Sequence, residues 1–382
     1  MKHLTRLLAF GLLLAVSAWP ALAQDGGTAA TTAATAQDDE ACNELYRVFY
    51  DKQQKKDIDG AYETAKEYLQ KCSADNAYRK AADKFVKAYD IKKRRTQFYA
   101  ALKAENFDEA FVVGKQVLVD TPDDPQIIYD LTRAGRAAAL AVTPNEKNNA
   151  EAATYAKRSI ELTNSGKLPN KSTTKDTALG EAYYTLGVVL DKPEEQIPNL
   201  IKTAQTQVYG KDPGVYFKLA LAYQEGEYTK SDQAYKDAVA KYKDADNPEV
   251  KAALKSYQQS ADRLIDALAR TIVFANTTEY APYKDLSTPL ITGLYKFRNK
   301  TDAGMPAFIT GITAKPIPQP GQPIDYFPPP VAATTPGTGG TGTMPATGTT
   351  PAIGTTPANG TKPAVKPPTK PKPKPKPKGK KG

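Results

Sequence analysis

The sequence predicts an all-α protein in the form of a solenoid of helical hairpins, and three observations support that fold class. Residues 105–120 repeat residues 56–71 at an offset of 49 positions without a gap, so a repeat array is the first hypothesis. Helical periodicity continues from residue 41 to residue 275, with loops that end in Asp-Pro. Residues 76–106 contain neither proline nor glycine, which favours one long helix or two helices nearly in line.

The two copies of this repeat carry small residues at matching positions. Ala61 and Ala65 lie four positions apart in the first copy, as Ala110 and Gly114 do in the second. Small residues at this spacing share one face of a helix and let a neighbouring helix approach closely. A Phe-Tyr pair also lies seven residues before each copy. The repeated unit is therefore a helix pair.

The first 23 residues predict a secretory signal peptide. Lys2 and Arg6 precede an apolar run at residues 7–18, and small residues end the segment at Ala23. The run is shorter than the roughly 20 residues that a membrane-spanning helix needs, and no later stretch qualifies. We therefore expect export to the periplasm or cell surface of a bacterium, with no transmembrane segment in the mature form. Residues 24–40 contain no large apolar side chain and predict a disordered leader.

Two cysteines, Cys42 and Cys72, lie in the predicted exported portion. A disulfide is the leading interpretation for an exported chain, and two free thiols are the alternative. If one helix starts near Cys42 and the next ends near Cys72, an antiparallel hairpin places both residues at the same end. Such a bond would stabilise the terminal repeat, since closing a loop of this size contributes roughly 3 kcal/mol in the chain-entropy model.

Five helix pairs and one closing helix are predicted between residues 41 and 275. Pro198 falls within the first turns of its helix and is expected to shorten or bend that start. The predicted helices cover residues 41–54 with 59–71, 76–106 with 105–120, 126–142 with 148–162, a fourth pair starting near 175 and 193, a fifth pair whose second helix is 229–242, and the closing helix 248–275.

The first helices of the later pairs share a residue pattern. Tyr183, Leu186, Gly187 and Leu190 recur in spacing as Tyr216, Leu219, Ala220 and Tyr223, and partner helices with spaced alanines follow. This pattern resembles the tetratricopeptide repeat, and the resemblance covers five degenerate units from residue 41 to residue 242. It implies a right-handed solenoid whose concave groove is lined by the first helix of each pair. The lysine and asparagine clamp that the family uses for a peptide carboxylate is missing at the aligned positions.

Aligning the units on the repeat pattern assigns aromatic and arginine side chains to the groove. Such side chains bury a large area at modest entropic cost, which is why they are enriched where proteins hold peptides or partners. The alternative for each of them is packing between neighbouring helices. The groove positions predicted in this way are Tyr46, Tyr50, Arg95, Tyr99, Tyr184 and Phe217.

The formal charge of +10 comes from the two ends of the chain. Lys2 and Arg6 contribute +2, and the last 22 residues contain nine lysines and no acid. The remainder carries a net charge of −1, so the basicity is concentrated in one tail. Within the helices, the basic run at residues 92–95 indicates a solvated helix face, with an anion site as the alternative.

The C-terminal part of the chain changes composition twice. Residues 276–315 predict an irregular helical cap with short helices, since Pro282, Pro289 and Pro306 interrupt the apolar segments and a terminal repeat needs a cover. Residues 316–382 are dominated by Pro, Thr and Gly and then by Lys-Pro repeats, which predicts a disordered tail.

The lysines of this tail predict electrostatic binding to anionic envelope polymer or lipid headgroups. Uncompensated positive charges attract polyanions by releasing counterions. A solubilising spacer without a specific partner is the alternative. Because the lysine run itself contains no aromatic residue for base stacking, we expect no nucleic acid partner. The lysines of the predicted polyanion-binding segment are Lys370, Lys372, Lys374, Lys376, Lys378, Lys380 and Lys381.

No enzyme signature is found in the sequence. The sole histidine, His3, lies in the predicted signal peptide, so the mature chain lacks imidazole for a metal site or a Ser/His/Asp triad. Glu194 and Glu195 lie at a helix start, where carboxylates complement the helix dipole. We therefore expect no catalysis, no cofactor and no metal, with an enzyme that uses carboxylates alone as the alternative.

Two hypotheses from different classes follow from the sequence. The first is a non-enzymatic helical-repeat scaffold that binds a protein or peptide partner in its groove. The second is an envelope structural or anchoring factor that acts through the Lys-Pro tail, with the repeats as a spacer.

Overall fold

The computed structural model describes residues 33–327. The predicted signal peptide and the tail lysines lie outside the described residues. Within the described range the secondary structure is helical without any strand, which confirms the all-α prediction. The helices are α1 (Ala33–Gln54), α2 (Ile58–Lys71), α3 (Ala77–Lys103), α4 (Phe107–Asp120), α5 (Pro125–Ala139), α6 (Asn149–Asn164), α7 (Lys175–Val189), α8 (Pro193–Ala204), α9 (Pro213–Tyr223), α10 (Thr229–Tyr242), α11 (Pro248–Phe274), α12 (Ala281–Asn299) and α13 (Met305–Gly311).

Polar residues that cap the first turn explain where six of these thirteen helices begin. Asp124 illustrates the pattern, because its carboxylate accepts hydrogen bonds from the backbone amides of Gln126 and Ile127 at 3.0 and 3.2 Å. These bonds satisfy donors that a helix start leaves without a partner. Side-chain caps of the same kind are provided by Asp57, Asn106, Thr174, Asp212 and Asn247.

The chain divides into two compact units, one up to Asp90 and one from Ile91 onward, with the boundary inside α3. In the first unit, α1 and α2 pack as a pair around Phe49 and Tyr68, and the start of α3 closes this core. The predicted disulfide between Cys42 and Cys72 is confirmed, with 5.7 Å between the two Cα atoms.

The second unit repeats the helix pair along the chain. α5 packs on α6, α7 on α8, and α10 on α11, while α5 also packs on α7, α7 on α9 and α9 on α11. Sequential packing of this kind is typical of helical repeats, in which each unit buries its apolar face on its neighbours. The small residues of the repeat lie at these contacts, since a Cβ on Gly114 would lie 2.9 Å from Leu131 and 3.0 Å from Phe98.

Gly135 lies where α5 and α6 approach closely, and we expect Gly135→Ala to destabilise the second unit by about 1–3 kcal/mol. A Cβ at this position would overlap the Cβ of Ala152, which is too short to move away. Urea unfolding followed by circular dichroism measures the change. Gly311→Ala is the matched control, because Gly311 is helical and a Cβ added there would meet no packing neighbour within 4 Å. Equal losses for the two variants would contradict this account.

α1 begins before the position that the sequence predicts. It starts at Ala33, so residues 33–40 of the predicted disordered leader are helical. The prediction relied on the absence of large apolar side chains. Once the packed part of α1 has formed the helix nucleus, however, each further residue adds a hydrogen bond at little entropic cost, and alanine is the best helix former.

The C-terminal region also differs from its prediction. α12 continues through Pro289 for 19 residues, although short interrupted helices were expected. Burial of Ile291 and Leu294 against α11 stabilises the helix despite the proline. The prediction of disorder from residue 316 is wrong for residues 316–327, because Ile324 and Phe327 of this segment are buried in the core of the second unit.

Candidate functional site

A continuous set of aromatic and charged side chains connects α3, α5, α7, α9 and α12 within the second unit. Its members are linked by ion pairs, ring contacts, hydrogen bonds and electrostatic interactions, from Arg95 at one end to Tyr283 at the other. We call this set the aromatic face. Its members are Arg95, Tyr99, Tyr129, Asp130, Arg133, Arg136, Glu181, Tyr184, Tyr209, Asp212, Phe217 and Tyr283.

The α3 end of the aromatic face is held to the start of α5. Arg95 forms an ion pair with Asp124, the residue that caps α5. Tyr99 interacts with the carboxylate of Asp130, which also accepts a hydrogen bond from Gln126 at 2.7 Å. Burial raises the pKa of Asp130 above its ordinary value, with these hydrogen bonds acting in the opposite direction. At this end of the face, the Asp130 carboxylate therefore has limited access to water and lies beside the exposed Tyr99 side chain.

Arg136 occupies the centre of the aromatic face. Its guanidinium lies 2.6 Å from a Glu181 oxygen, donates to the Tyr209 hydroxyl at 2.6 Å, and stands 4.8 Å from the ring centroid of Tyr184. Burial acts to lower the pKa of Arg136, but Glu181 holds it above its ordinary value, so the side chain is charged. Arg133, one turn earlier on α5, also lies 3.6 Å from Glu181. The charges at the centre are therefore paired within the protein.

The far end of the aromatic face lies around the start of α9. Asp212 caps α9 by accepting from the backbone amide of Gly214 at 2.8 Å, and burial raises the pKa of Asp212. A Cβ on Gly214 would lie 3.2 Å from the Tyr283 hydroxyl and 3.4 Å from that of Tyr184, so glycine leaves room for both phenols. Phe217 meets Tyr283 edge to face, with 5.5 Å between the ring centroids.

Four of the six predicted groove residues lie on the aromatic face, namely Arg95, Tyr99, Tyr184 and Phe217. Tyr184 is 6% exposed, so its assignment as a groove-lining residue is corrected: it packs beneath the surface because Arg136 and Tyr209 cover its ring. Tyr99 is 41% exposed and Phe217 is half-buried. Surface contact on this face is available from Tyr99, Phe217 and the exposed Arg133.

The other two predicted residues, Tyr46 and Tyr50, belong to the first unit. Tyr46 is half-buried, and its ring lies 5.5 Å from Phe49 and 5.7 Å from Tyr68 between centroids. Tyr46 therefore packs between neighbouring helices, which is the alternative to a groove position. Tyr50 is exposed.

The basic run at residues 92–95 divides between two environments. Arg94 and Arg95 form ion pairs with Asp120 and Asp124, which lie at the end of α4 and the start of α5. Lys92 and Lys93 are exposed, as expected for a solvated helix face. The two arginines therefore link helices.

Several members of the aromatic face were not predicted from the sequence. Glu181 precedes Tyr184 by three positions and Arg133 precedes Arg136 by three, so helical spacing alone could have placed each pair on one face. Tyr209 lies in a loop and Tyr283 in the region expected to be an irregular cap. Their contacts depend on tertiary packing and leave no signal in the local pattern.

Residues 33–327 contain no cluster of three or more His, Cys, Asp or Glu side chains that could hold a metal ion. In the same range no helix combines the length and apolar character needed to cross a membrane. No protein-family model, curated protein or solved structure matches the chain. The class of the protein is therefore defined by its own geometry, as an all-α array of packed helix pairs with a disulfide in its first unit.

Proposed function

We propose that this chain is a non-enzymatic helical-repeat scaffold of the tetratricopeptide type, exported by a bacterium, that binds a protein or peptide partner on the aromatic face. The observation that carries the proposal is the arrangement of that face, in which the exposed Tyr99 and Arg133 and the half-buried Phe217 stand on a charge-paired layer around Arg136. Side chains that are already fixed lose little entropy when a ligand binds. The disulfide agrees with an oxidising compartment, which supports export.

The chemistry of the aromatic face favours an extended peptide segment as the ligand. Phenol rings and a guanidinium supply large contact areas and hydrogen bonds of the kind found at interface hot spots. The carboxylates of Asp130 and Asp212 stand beside these rings and could accept hydrogen bonds from backbone amides or a basic side chain of the ligand.

Capture of partners from an envelope fraction tests this proposal, and we expect Tyr99→Ala with Phe217→Ala to reduce the captured amount at least about tenfold, since two hot-spot residues are removed. The captured proteins are quantified by mass spectrometry against the wild-type chain. Val119→Ala, an exposed apolar position on α4 outside the face, is the control and should leave capture unchanged. Unchanged capture by the double variant would reject the aromatic face as the binding site.

The alternative function assigns binding to the Lys-Pro tail, on the basis of nine lysines without an acid in the last 22 residues. Deletion of residues 328–382 separates the two functions while keeping the buried segment that ends at Phe327. If the deletion abolishes all capture, and moderate salt abolishes capture by the intact chain, the tail is the binding element and the scaffold proposal fails.

A further inference from the structure

Residues 315–327, which we call the strap, run along α11 without regular secondary structure. Most of the strap is exposed or half-buried, and only Ile324 and Phe327 are buried. Where such a segment packs against the core, its backbone groups need hydrogen-bond partners. Besides two backbone turns, in which strap amides donate to the carbonyls of Ile312 and Gln319, the strap finds partners in side chains of neighbouring helices.

Gln259 of α11 binds both backbone groups of one strap residue. Its Oε1 accepts from the amide of Ile324 at 2.6 Å, and its Nε2 donates to the carbonyl of Ile324 at 2.9 Å. A side-chain amide in this position takes the place of a neighbouring β-strand, so it recognises an extended backbone whatever the side chain.

Two arginines and a tyrosine bind further carbonyls of the strap. Arg263 donates to the carbonyl of Gln322 at 2.7 Å, and Arg270 donates to those of Lys315 and Pro316 at 2.8 and 3.1 Å. The Tyr223 hydroxyl lies 3.4 Å from the carbonyl of Pro318. Proline has no amide hydrogen, so its carbonyl is the only backbone group with which it can form a hydrogen bond. Donor side chains such as those of Arg270 and Tyr223 are therefore suited to a segment that contains proline.

The donors that bind the strap are fixed by other groups. Arg263 pairs with Glu227 at 2.9 Å and Arg270 with Asp266 at 2.7 Å, and both arginines are buried. Gln259, Arg263 and Arg270 lie at helical spacing, so they share one side of α11. We call these three residues with Tyr223 the strap site.

Two apolar side chains anchor the end of the strap. Ile324 and Phe327 are 8% and 7% exposed, and the Phe327 ring lies 5.2 Å from that of Phe308 and 5.4 Å from that of Tyr295 between centroids. Beside the strap, an open cleft of about 660 Å³ is bordered by Gly321 and Pro323 on one side and by α10 and α11 on the other. Gln259 and Arg263 of the strap site line this cleft, so that part of the site is accessible beside the strap.

We propose that the strap site is a receptor for an extended, proline-containing peptide of a partner protein, with an aliphatic residue followed three positions later by an aromatic one, and that the strap occupies it in cis. The contacts allow another peptide to replace the strap, because they are made mainly to backbone carbonyls and to two apolar side chains. A partner segment with the same chemistry can form the same contacts. Aromatic and polar groups along a groove are the usual means of holding a preformed extended proline segment. The strap site shares no residue with the aromatic face.

The experiment uses a fluorescent synthetic peptide of residues 315–327 and the full chain. The wild-type chain should bind it weakly, because the tethered strap competes at high effective concentration, and the Ile324→Ala/Phe327→Ala variant should bind at least about tenfold more tightly. Adding Gln259→Leu to that variant should abolish the gain. Equal affinities for the wild-type chain and the strap variant, with the α11 amides of both still protected from hydrogen exchange, would overturn the proposal.

A second measurement needs no substitution. Saturating peptide should accelerate hydrogen exchange of the Ile324 amide in the wild-type chain, because displacement frees it from Gln259. Unchanged exchange at saturation would show that the strap is a permanent part of the fold and would overturn the proposal. If cross-links instead join the strap of one copy to α11 of another without added peptide, the occupant is a second copy, and the assignment to a partner protein is overturned.

Discussion

Asp262→Ala is expected to destabilise the second unit by about 3–5 kcal/mol, because it leaves Arg298 as an unpaired buried charge. Arg298 donates from Nε and Nη2 to the two carboxylate oxygens of Asp262 at 2.8 and 3.0 Å, and both side chains are buried. The pair connects α11 to α12, so its loss weakens the contact of the C-terminal helices with the core. Urea unfolding of the full chain measures the effect as a lower midpoint.

The control variants separate charge from packing. Asp262→Leu together with Arg298→Met replaces the buried pair by apolar groups, and most of the stability should return because neither charge is left unpaired. Asp302→Ala removes the exposed partner of Lys296 close to α12 and should change nothing measurable. If the apolar double variant is as unstable as Asp262→Ala, the loss comes from packing and the charge explanation is wrong.

Local sequence signals predicted the helices well because helix starts and periodicity are local properties. Asp-Pro at 124–125 and at 212–213 marks a capping side chain followed by a proline at the first helical position, and both helices start there. The disulfide followed from two cysteines in a chain with a predicted signal peptide. The helix starts depend on residues that are close in sequence. The disulfide depends on the number of cysteines, since two cysteines allow only one pairing.

The buried charges of α11 could not be predicted from the sequence. Asp262, Asp266 and Arg270 on a helix resemble a solvated face, and only the positions of Arg298 and the strap show that they are buried. The strap itself has the proline content of a disordered segment. It is anchored by Phe327, which packs in the apolar cluster that α11, α12 and α13 help to build.

The sequence pattern named some members of the aromatic face and missed others, because it carries no information on tertiary packing. The repeat register assigned Arg95, Tyr99, Tyr184 and Phe217 to first helices, and the structure links these residues through others, such as Arg136. The pattern could not distinguish an exposed ring such as Tyr99 from a covered one such as Tyr184. That difference depends on Arg136, which lies over the Tyr184 ring.

Removing the disulfide by Cys42→Ala with Cys72→Ala is expected to destabilise the first unit by about 3 kcal/mol, because the bond restricts the unfolded chain over a sequence separation of 30 residues. The first unit buries a small core around Phe49 and Tyr68, so such a loss is a large fraction of its stability. Hydrogen exchange of the α1 and α2 amides should accelerate by about two orders of magnitude, since each 1.4 kcal/mol corresponds to a factor of ten.

The second unit provides an internal control for this prediction. Both cysteines lie before Asp90, so exchange of the α5 and α7 amides should be unchanged in the same variant. Reducing the wild-type chain should reproduce the result without any substitution, which separates the loss of the bond from the loss of the buried Cys72 side chain. Equal acceleration in both units would mean that they unfold together, and unchanged exchange in α1 and α2 would mean that the helix packing alone stabilises the first unit.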